Sequence, residues 1–329
     1  MKTFANSNAR TAGDASRRSQ QARAAGQHVA FAGGGTDLLQ LVKDRIVSPD
    51  VIVNLKTIPG LSQVTRTASG VSIGGQITLD ALSRNEIIRK DYPVLAEAAG
   101  SVATPQIRNV GTVAGNLAQR PWCWYYRNGF PCFKNGGNQC FSFAGENQFH
   151  AIFGGGPSYI VHPSDTAPAL VALGATFRIV GPGGERTVPA ADFFVLPRVN
   201  ASNENVLADD EVLASIDVPA AKAGVRSHYY KVMDREAWTH AVVSAAIVLE
   251  MDGQVCRAAH VVLGGVAPIP WRLPNVEQML AGQRITEELA VRAADTAVSG
   301  ARALSKNAYK IPMTKGVVRR TLLQVAQQA

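Results

Sequence analysis

The chain has 329 residues, 46% of them hydrophobic and 18% charged, with a formal net charge of +8. This is ordinary globular composition with room for two domains, and no stretch approaches the ~20 apolar residues of a transmembrane helix. The basic residues are scattered rather than packed into dense runs with aromatics, which disfavours nucleic acid and leaves a bound dinucleotide or acidic partner subunits to account for the charge.

The first 27 residues are polar and rich in Ala, Arg and Ser, and they lack the apolar centre of a secretory signal. Asp14 is their one acidic residue, a scarcity that would suit an organellar transit peptide. We favour a first helix instead, because Ala22, Ala24 and Ala25 lead directly into a strand.

The next part of the chain predicts a mixture of short strands and helices. Thr78 is a plausible N-cap for one of these helices. The predicted strands are His28–Ala32, Val51–Leu55 and Gly70–Gly75, and the predicted helices are Leu38–Val42, Thr78–Ile88 and Tyr92–Ser101.

Further along, Ala175–Val188 predicts a hairpin around Pro182-Gly183-Gly184, and the polar stretch 201–210 predicts a surface connection. The turn Asp252-Gly253 predicts a second hairpin, so the last third should be a three-stranded sheet backed by helices. The remaining predicted helices are Ala167–Gly174, Thr286–Leu304 and Val317–Gln327; the remaining strands are Ser227–Met233, Ala241–Glu250 and Val255–Gly264.

Residues 119–158 predict a long loop with several aromatic residues, which argue against disorder, so the loop is expected to be functional. It carries three of the four cysteines, Cys123, Cys132 and Cys140. Without a secretory signal, a clustered trio indicates metal binding or chance proximity before it indicates disulfides.

The first candidate binding motif is the run Gly33-Gly34-Gly35-Thr36-Asp37 after the strand. Glycines let the backbone approach a ligand, and their N–H groups can then point at phosphate oxygens. The run matches neither the dinucleotide fingerprint nor a nucleoside-triphosphate loop, and by itself a tight turn would explain it as well.

Two further segments have the same character. Residues 104–116 alternate small and hydroxyl side chains, which suits either close backbone approach or a structural turn. The motif His162-Pro163-Ser164-Asp165 precedes a helix, where Asp165 could cap the helix or accept hydrogen bonds from a ligand.

Taken together, in this order and spacing, these segments resemble the FAD subunit of the xanthine dehydrogenase and aldehyde oxidoreductase family. The resemblance covers nearly the whole chain and includes Tyr229-Tyr230-Lys231-Val232, Val243-Ser244-Ala245-Ala246 and Leu263-Gly264-Gly265-Val266-Ala267-Pro268. It implies an α+β fold with an FAD-binding domain of the p-cresol methylhydroxylase and vanillyl-alcohol oxidase type. That domain would span residues 1–222, in subdomains of about 1–56 and 57–222, followed by a small C-terminal flavin-subunit domain at 223–329.

The resemblance also implies cofactor-binding roles. The FAD pyrophosphate would be wrapped by Ala32, Gly33, Gly34, Gly35, Thr36, Asp37, Leu38 and Leu39, and the second half of the cradle would be lined by Thr104, Asn109, Gly111, Thr112, Gly115 and Asn116. Asp165 would hold the ribityl or ribose side, and Lys231 would lie near the isoalloxazine, where a cation favours the anionic reduced flavin. From the residues alone, Lys231 is equally well a solvated strand lysine.

The cysteine loop resembles that of the aldehyde oxidoreductase branch, whose flavin subunits carry an extra [4Fe-4S] cluster on four cysteines. Cys123, Cys132 and Cys140 match the first three, but Ser158 stands at the fourth position, and Cys256 lies in the distant hairpin. Four thiolates are the usual ligand set. A cluster with an uncertain fourth ligand, zinc on the three cysteines plus His150 or His162, and free thiols therefore all stay open.

The resemblance implies an electron-transfer subunit of a heterotrimeric molybdenum hydroxylase acting on an aldehyde or N-heterocycle. A large partner would carry molybdopterin, a small partner would relay electrons from [2Fe-2S] clusters to FAD, and an external acceptor would receive them; no catalytic residue is expected in this chain. The alternatives are a stand-alone flavin oxidase of the same fold and a scaffold without flavin. A cytoplasmic location is expected, with periplasmic co-export on a partner's signal as the alternative.

Overall fold

The computed structural model describes residues 2–235 and 239–328, and it begins with a small parallel sheet. Three strands pair in the order β1-β3-β2, all parallel, with a helix after each of the first two. The elements are β1 (Ala5–Asn8), α1 (Ala12–Ala24), β2 (Val29–Ala32), α2 (Leu38–Lys43) and β3 (Val51–Asn54). The predicted first helix is therefore confirmed as α1, and the Thr11 hydroxyl caps it by accepting from the Asp14 backbone N–H at 3.0 Å.

A second, antiparallel sheet follows, with strand order β4-β5-β8-β6-β7. Its strands are β4 (Val64–Thr67), β5 (Gly70–Gly74), β6 (Thr176–Gly181), β7 (Gly184–Pro189) and β8 (Val212–Pro219). The helices along this part of the chain are α3 (Leu79–Arg84), α4 (Glu86–Asp91), α5 (Pro93–Gly100), α6 (Pro105–Arg108), α7 (Val113–Ala118), α8 (Trp124–Arg127), α9 (Thr166–Ala172) and α10 (Ala190–Phe193).

One long helix predicted in this region is in fact two. The segment Thr78–Ile88 is interrupted at Asn85, whose side chain accepts hydrogen bonds from the N–H groups of Ile87 and Ile88 and so starts α4. An asparagine in extended conformation is a strong N-cap, and this local hydrogen bonding competes with a continuous helix. Thr78 is the N-cap of α3, as predicted.

The last part of the chain forms a third sheet around three long antiparallel strands. The elements are β9 (Val225–Val232), β10 (Val243–Asp252), β11 (Val255–Gly264), β12 (Trp271–Arg272), α11 (Pro274–Leu280), β13 (Gln283–Arg284), α12 (Glu287–Ala297) and α13 (Lys310–Ala326). The predicted three strands are confirmed, with two short strands added at β11. The predicted last helix started too late, because Pro312 lies in the first turn of α13, where a missing N–H costs little.

Strand β10 is buried on both faces, which explains its unbroken apolar run. Ala246 and Val248 belong to the core shared with α5 and α9, while Ala245 and Ile247 belong to the core under α12 and α13. Because successive strand residues face opposite sides, this sheet joins two cores and holds its α5 and α9 face firmly against the rest of the molecule.

Among the described helices, none has both the length and the apolar character needed to cross a membrane.

Candidate functional site

Two glycine segments from different parts of the fold meet at the end of β2. A Cβ atom on Gly34 would lie 2.2 Å from the carbonyl oxygen of Val110, and one on Gly33 would lie 2.7 Å from the Thr112 hydroxyl. Because the Val110 carbonyl is backbone and cannot turn aside, Gly34 must be glycine for the two segments to touch, whereas Gly33 packs against the side chains of Thr112 and Gln76. Gly35 adds a backbone φ of +75°, which residues with a Cβ rarely adopt.

These segments form one end of a cavity of about 520 Å³. A cavity of this size, walled largely by backbone and apolar groups with a few convergent polar ones, is typical of a cofactor site. Of the residues predicted to bind FAD, twelve line it: Ala32, Gly33, Gly34, Gly35, Thr36, Asp37, Leu38, Gly111, Thr112, Gly115, Asn116 and Asp165.

Four of the predicted residues lie outside this wall: Leu39, Thr104, Asn109 and Lys231. Leu39 is 43% exposed on α2. Thr104 caps α6 by accepting from the Ile107 N–H, and Asn109 ends the same helix. Thr104 and Asn109 therefore shape the turn that presents Gly111 without facing the cavity themselves.

Asp165 is held in the cavity wall by two donors from β9. Its carboxylate accepts from the Tyr229 hydroxyl at 2.7 Å and from Lys231 Nζ at 2.7 Å, and Lys231 also donates to the Ser101 carbonyl. The side chains of Asp165 and Lys231 are each only 3% exposed, so the interpretation of Lys231 as a solvated lysine is wrong. Burial, and then the adjacent carboxylate, raise the pKa of Tyr229, which keeps the phenol a donor.

The capping role considered for Asp165 is also wrong. Asp165 sits before α9 but makes no side-chain cap bond. Ser164 supplies the cap instead, since its hydroxyl accepts from the Ala167 N–H and donates to Asn116 Oδ1 at 2.6 Å. Thr166 donates to the same amide oxygen at 2.7 Å. Asn116 thus ties the second glycine segment to the two residues that flank Asp165.

Two residues of the cavity wall went unpredicted. Trp122 and His240 both line it, with ring centroids 5.1 Å apart. Burial lowers the pKa of His240 to about 4, so the imidazole is neutral at pH 7. The aromatic run in residues 119–158 could have indicated Trp122, whereas nothing in the sequence around His240 marks it.

The cysteine loop forms a second, much smaller chamber beside the main cavity. Cys123, Cys132, Cys140 and Ser158 all line this chamber, so the structure brings the three cysteines and the predicted fourth position together. Cys123 lines both cavities, and its sulfur lies 3.3 Å from His150 Nε2. Burial raises the pKa of the Cys123 thiol to about 11. Burial, helped by the Lys310 ammonium, lowers the pKa of His150 to about 4.

The chamber measures about 10 Å³, roughly the space that one water molecule needs. Within residues 2–235 and 239–328, no three His, Cys, Asp or Glu side chains are grouped so as to hold a metal ion. Cys256 lies buried in β11, where its thiol donates to the Ala258 carbonyl, and it does not line the chamber. The donor set therefore does not fit a four-iron cluster or a zinc ion in this arrangement.

Two family models together match most of the chain. Residues 9–221 match the FAD binding domain in molybdopterin dehydrogenase, and residues 228–325 match the CO dehydrogenase flavoprotein C-terminal domain.

Individual relatives match over nearly the full length. The chain is 33% identical over 304 residues to the aldehyde oxidoreductase FAD-binding subunit PaoB of Escherichia coli, covering 91% of this chain and 92% of that protein. It is 29% identical over 302 residues to the carbon monoxide dehydrogenase medium chain of Hydrogenophaga pseudoflava, covering 90% and 89%.

Solved structures have the same fold. A chain of carbon monoxide dehydrogenase from H. pseudoflava superposes with a TM-score of 0.77 at 26% identity, covering 99% of this chain and 97% of that one. A chain of quinoline 2-oxidoreductase from Pseudomonas putida 86 gives a TM-score of 0.76 at 23% identity, covering 99% of each.

Proposed function

The chain belongs to the family of FAD-binding subunits of molybdenum hydroxylases, and we propose that its glycine-walled cavity holds the FAD diphosphate between residues 32–38 and 111–116. Members of this family are medium subunits, and this chain is accordingly the flavin electron-transfer component of a multi-subunit oxidoreductase, with substrate chemistry on a partner. The observation that carries the proposal is the contact of the two glycine segments, where a Cβ on Gly34 would strike the Val110 carbonyl.

Different residues of the cavity wall are proposed to bind different parts of FAD. Backbone N–H groups of the glycine loop and the Thr36 hydroxyl are suited to donate to phosphate oxygens. Asp165, oriented by Tyr229 and Lys231, is suited to accept from a ribityl or ribose hydroxyl. Bound FAD would supply the electron-carrying chemistry, and the protein would contribute binding, orientation and a buried cation behind Asp165.

Lys231 acts on the site through Asp165, because its ammonium is buried and bonded to that carboxylate rather than turned into the cavity. Leu39, Thr104 and Asn109 are proposed to support the cradle from outside. A domain boundary near residue 222 is part of the proposal and is supported by the exposed stretch 219–224.

For the complex, we propose aldehyde oxidation, supported by the 33% identity to an aldehyde oxidoreductase subunit over 91% of the chain. A large subunit would hold molybdopterin and choose the substrate, and a small subunit would deliver electrons from [2Fe-2S] clusters. The flavin would pass them to an external acceptor, in a complex acting in the cytoplasm.

We propose that Cys123, Cys132 and Cys140 of the cysteine loop are free thiols. The chamber between Cys123, Cys132, Cys140 and Ser158 has room for about one water molecule, and the neighbouring His150 is already bonded to Cys123. No step of electron transfer is therefore assigned to a cluster in this chain.

The test is the visible absorption spectrum of the purified chain, with iron and acid-labile sulfide assays on the same sample. We expect flavin bands without stoichiometric iron. Colourless protein that cannot be reconstituted with FAD would overturn the flavin site, and about four iron atoms per chain would overturn the free-thiol assignment. Substrate oxidation by this chain alone would favour a stand-alone flavin oxidase.

A further inference from the structure

Asp37 places a carboxylate in the wall proposed to hold the FAD diphosphate. The residue directly follows the glycine loop and lines the main cavity. A bare carboxylate there would repel an anionic diphosphate, and the repulsion is stronger in a partly buried site than in water. The binding site therefore needs something to offset this charge.

Both carboxylate oxygens of Asp37 are bonded to the cysteine loop. Oδ1 accepts from Arg127 Nη2 at 2.7 Å, and Oδ2 accepts from the Arg120 backbone N–H at 2.9 Å. Asp37 stands at the N-cap position of α2 yet makes no side-chain cap bond, because its oxygens are turned to the loop. The side chains are 21% and 9% exposed for Asp37 and Arg127, so solvent screens the pair only partly.

Arg127 is held in place by groups other than Asp37. Its Nε donates to the Pro121 carbonyl at 2.9 Å, and its Nη2 donates to the Arg120 carbonyl at 3.0 Å. Its guanidinium lies 4.4 Å from the centre of the Trp122 ring, a favourable cation–π position. The loop thus presents a fixed positive charge to the glycine segment.

The ion-pair network that includes Asp37 carries an excess positive charge. Glu204 is paired with both Arg120, at 3.2 Å, and Lys134. Together with Asp37 and Arg127, the network contains three cations and two carboxylates. An excess positive charge beside the glycine segments suits an anionic ligand.

We propose that Arg127 is a positioning residue that neutralises Asp37 and so allows the glycine loop to accept the FAD diphosphate. This inference rests on the proposed flavin site and gives residues 119–158 a role in flavin binding that needs no metal. Its counterpart is a purely mechanical role, in which Arg127 merely fastens the loop to the rest of the protein.

The two roles are separated by a double-mutant cycle in the full-length chain, with FAD titrated into the flavin-free protein and binding followed by flavin fluorescence. Arg127→Met removes the ion-pair partner of Asp37 and should weaken FAD binding about tenfold or more, a factor that corresponds to ~1.4 kcal/mol. The double variant D37N/R127M lacks both charges and should bind FAD at least about threefold more tightly than Arg127→Met does, because the repulsion is gone. Arg257→Met removes a charge from the exposed C-terminal hairpin and is the matched control for net charge.

The salt dependence of FAD binding and a variant that keeps the charge of Arg127 test the electrostatic role independently. The loss of FAD affinity in Arg127→Met should be smaller at high than at low ionic strength, because salt screens the repulsion between the Asp37 carboxylate and the diphosphate. Arg127→Lys keeps the charge but loses the forked contacts, and it should retain most of the affinity even if Arg127→Met folds poorly.

A double variant as weak as Arg127→Met, or an Arg127→Met protein that binds FAD normally, would overturn the proposal in favour of the mechanical role or no role. Failure of the unmodified chain to bind FAD would instead refute the flavin site itself.

Discussion

The glycine cradle, formed by residues 32–38 and 111–116, lies beside the cysteine loop, residues 119–158. The two regions are held together by different kinds of contact. The cradle works by lacking side chains, since Gly34 lets two backbone segments touch and Gly33 leaves room for the Thr112 hydroxyl. The loop is held by side chains that reach distant parts of the chain: Lys134 bonds Glu204, and Arg127 bonds Asp37. A backbone cradle leaves a mark in the local sequence, whereas such long-range pairings do not.

The cradle is the more easily broken of the two, and a single methyl group should suffice. In Gly34→Ala the new Cβ meets the Val110 carbonyl and the Gly111 Cα, both of them backbone atoms that cannot turn aside. Overpacking of this kind typically costs ~1–3 kcal/mol, and it would separate the two glycine segments. We expect the variant to be isolated with little or no flavin, as measured by the flavin-to-protein absorbance ratio.

The matched control is Gly183→Ala. A Cβ at Gly183 meets no atom within 4 Å, and its backbone φ is not in the left-handed region. This variant should keep its full flavin content. Equal flavin in both variants would show that the contact between the two segments does not shape the site.

The cradle could be predicted because its chemistry is local. Gly33, Thr112 and Asp165 each stand in a segment whose small or polar residues interrupt the surrounding apolar pattern, and all three line the cavity. Of the elements around them, β2, α3 and α9 were predicted for the same reason, since caps such as Thr78 and turns such as Asp252-Gly253 act within a few residues, whereas the short helices α6 and α7 around Thr112 were not.

The loop could not be predicted in the same way. The stretch 201–210 reads as a polar surface connection, yet Glu204 within it is 2% exposed and paired with Lys134. Likewise, His240 reaches the cavity only because β9 and β10 pair across it. Pairings across 70 residues depend on the finished fold, so residue type and spacing do not reveal them.

Breaking the buried Lys134–Glu204 ion pair of the loop should lower the free energy of unfolding and should not act directly on flavin binding. Lys134→Met leaves Glu204, whose side chain is 2% exposed, with Arg120 as its remaining cation. Removing one partner of a buried pair typically costs ~3–5 kcal/mol, and the remaining partner should keep the loss near the lower value. Urea unfolding would measure the change in free energy.

A second ion pair between the loop and the rest of the chain supplies the control. Lys306 and Glu146 are about half exposed, so Lys306→Met should cost ~1 kcal/mol or less. Equal losses in the two lysine variants would show that burial does not distinguish the two pairs.

Two buried histidines should also make stability depend on pH. Burial lowers the pKa of His162 to about 3 and of His240 to about 4, against an ordinary value near 6.5. Between those values the unfolded chain binds protons that the folded chain does not, so the stability contributed by these two neutral histidines is full above about pH 6.5 and falls as pH drops toward 4.

Urea unfolding at a series of pH values would measure this loss, which we expect to reach several kcal/mol. His240→Gln, which has no titrating ring, should flatten part of the slope. An unchanged slope in this variant would mean that His240 is not held neutral in the folded chain.

The smallest effect on flavin content is expected where a cluster would have predicted the largest. Replacing Cys123, Cys132 and Cys140 together by alanine removes all three thiols from a chamber that holds about one water molecule. Buried free cysteines behave as small apolar groups, so the cost should be ~1 kcal/mol for each site, seen as a modestly lower melting temperature.

Flavin content should be unchanged in this triple variant, because Asp37, Arg127 and the Lys134–Glu204 pair still hold the loop over the cradle. The control is Cys256→Ala, a buried cysteine in the C-terminal hairpin far along the chain from the loop. If the triple variant alone loses its flavin, the thiols do more than fill space, and the loop depends on something that they bind.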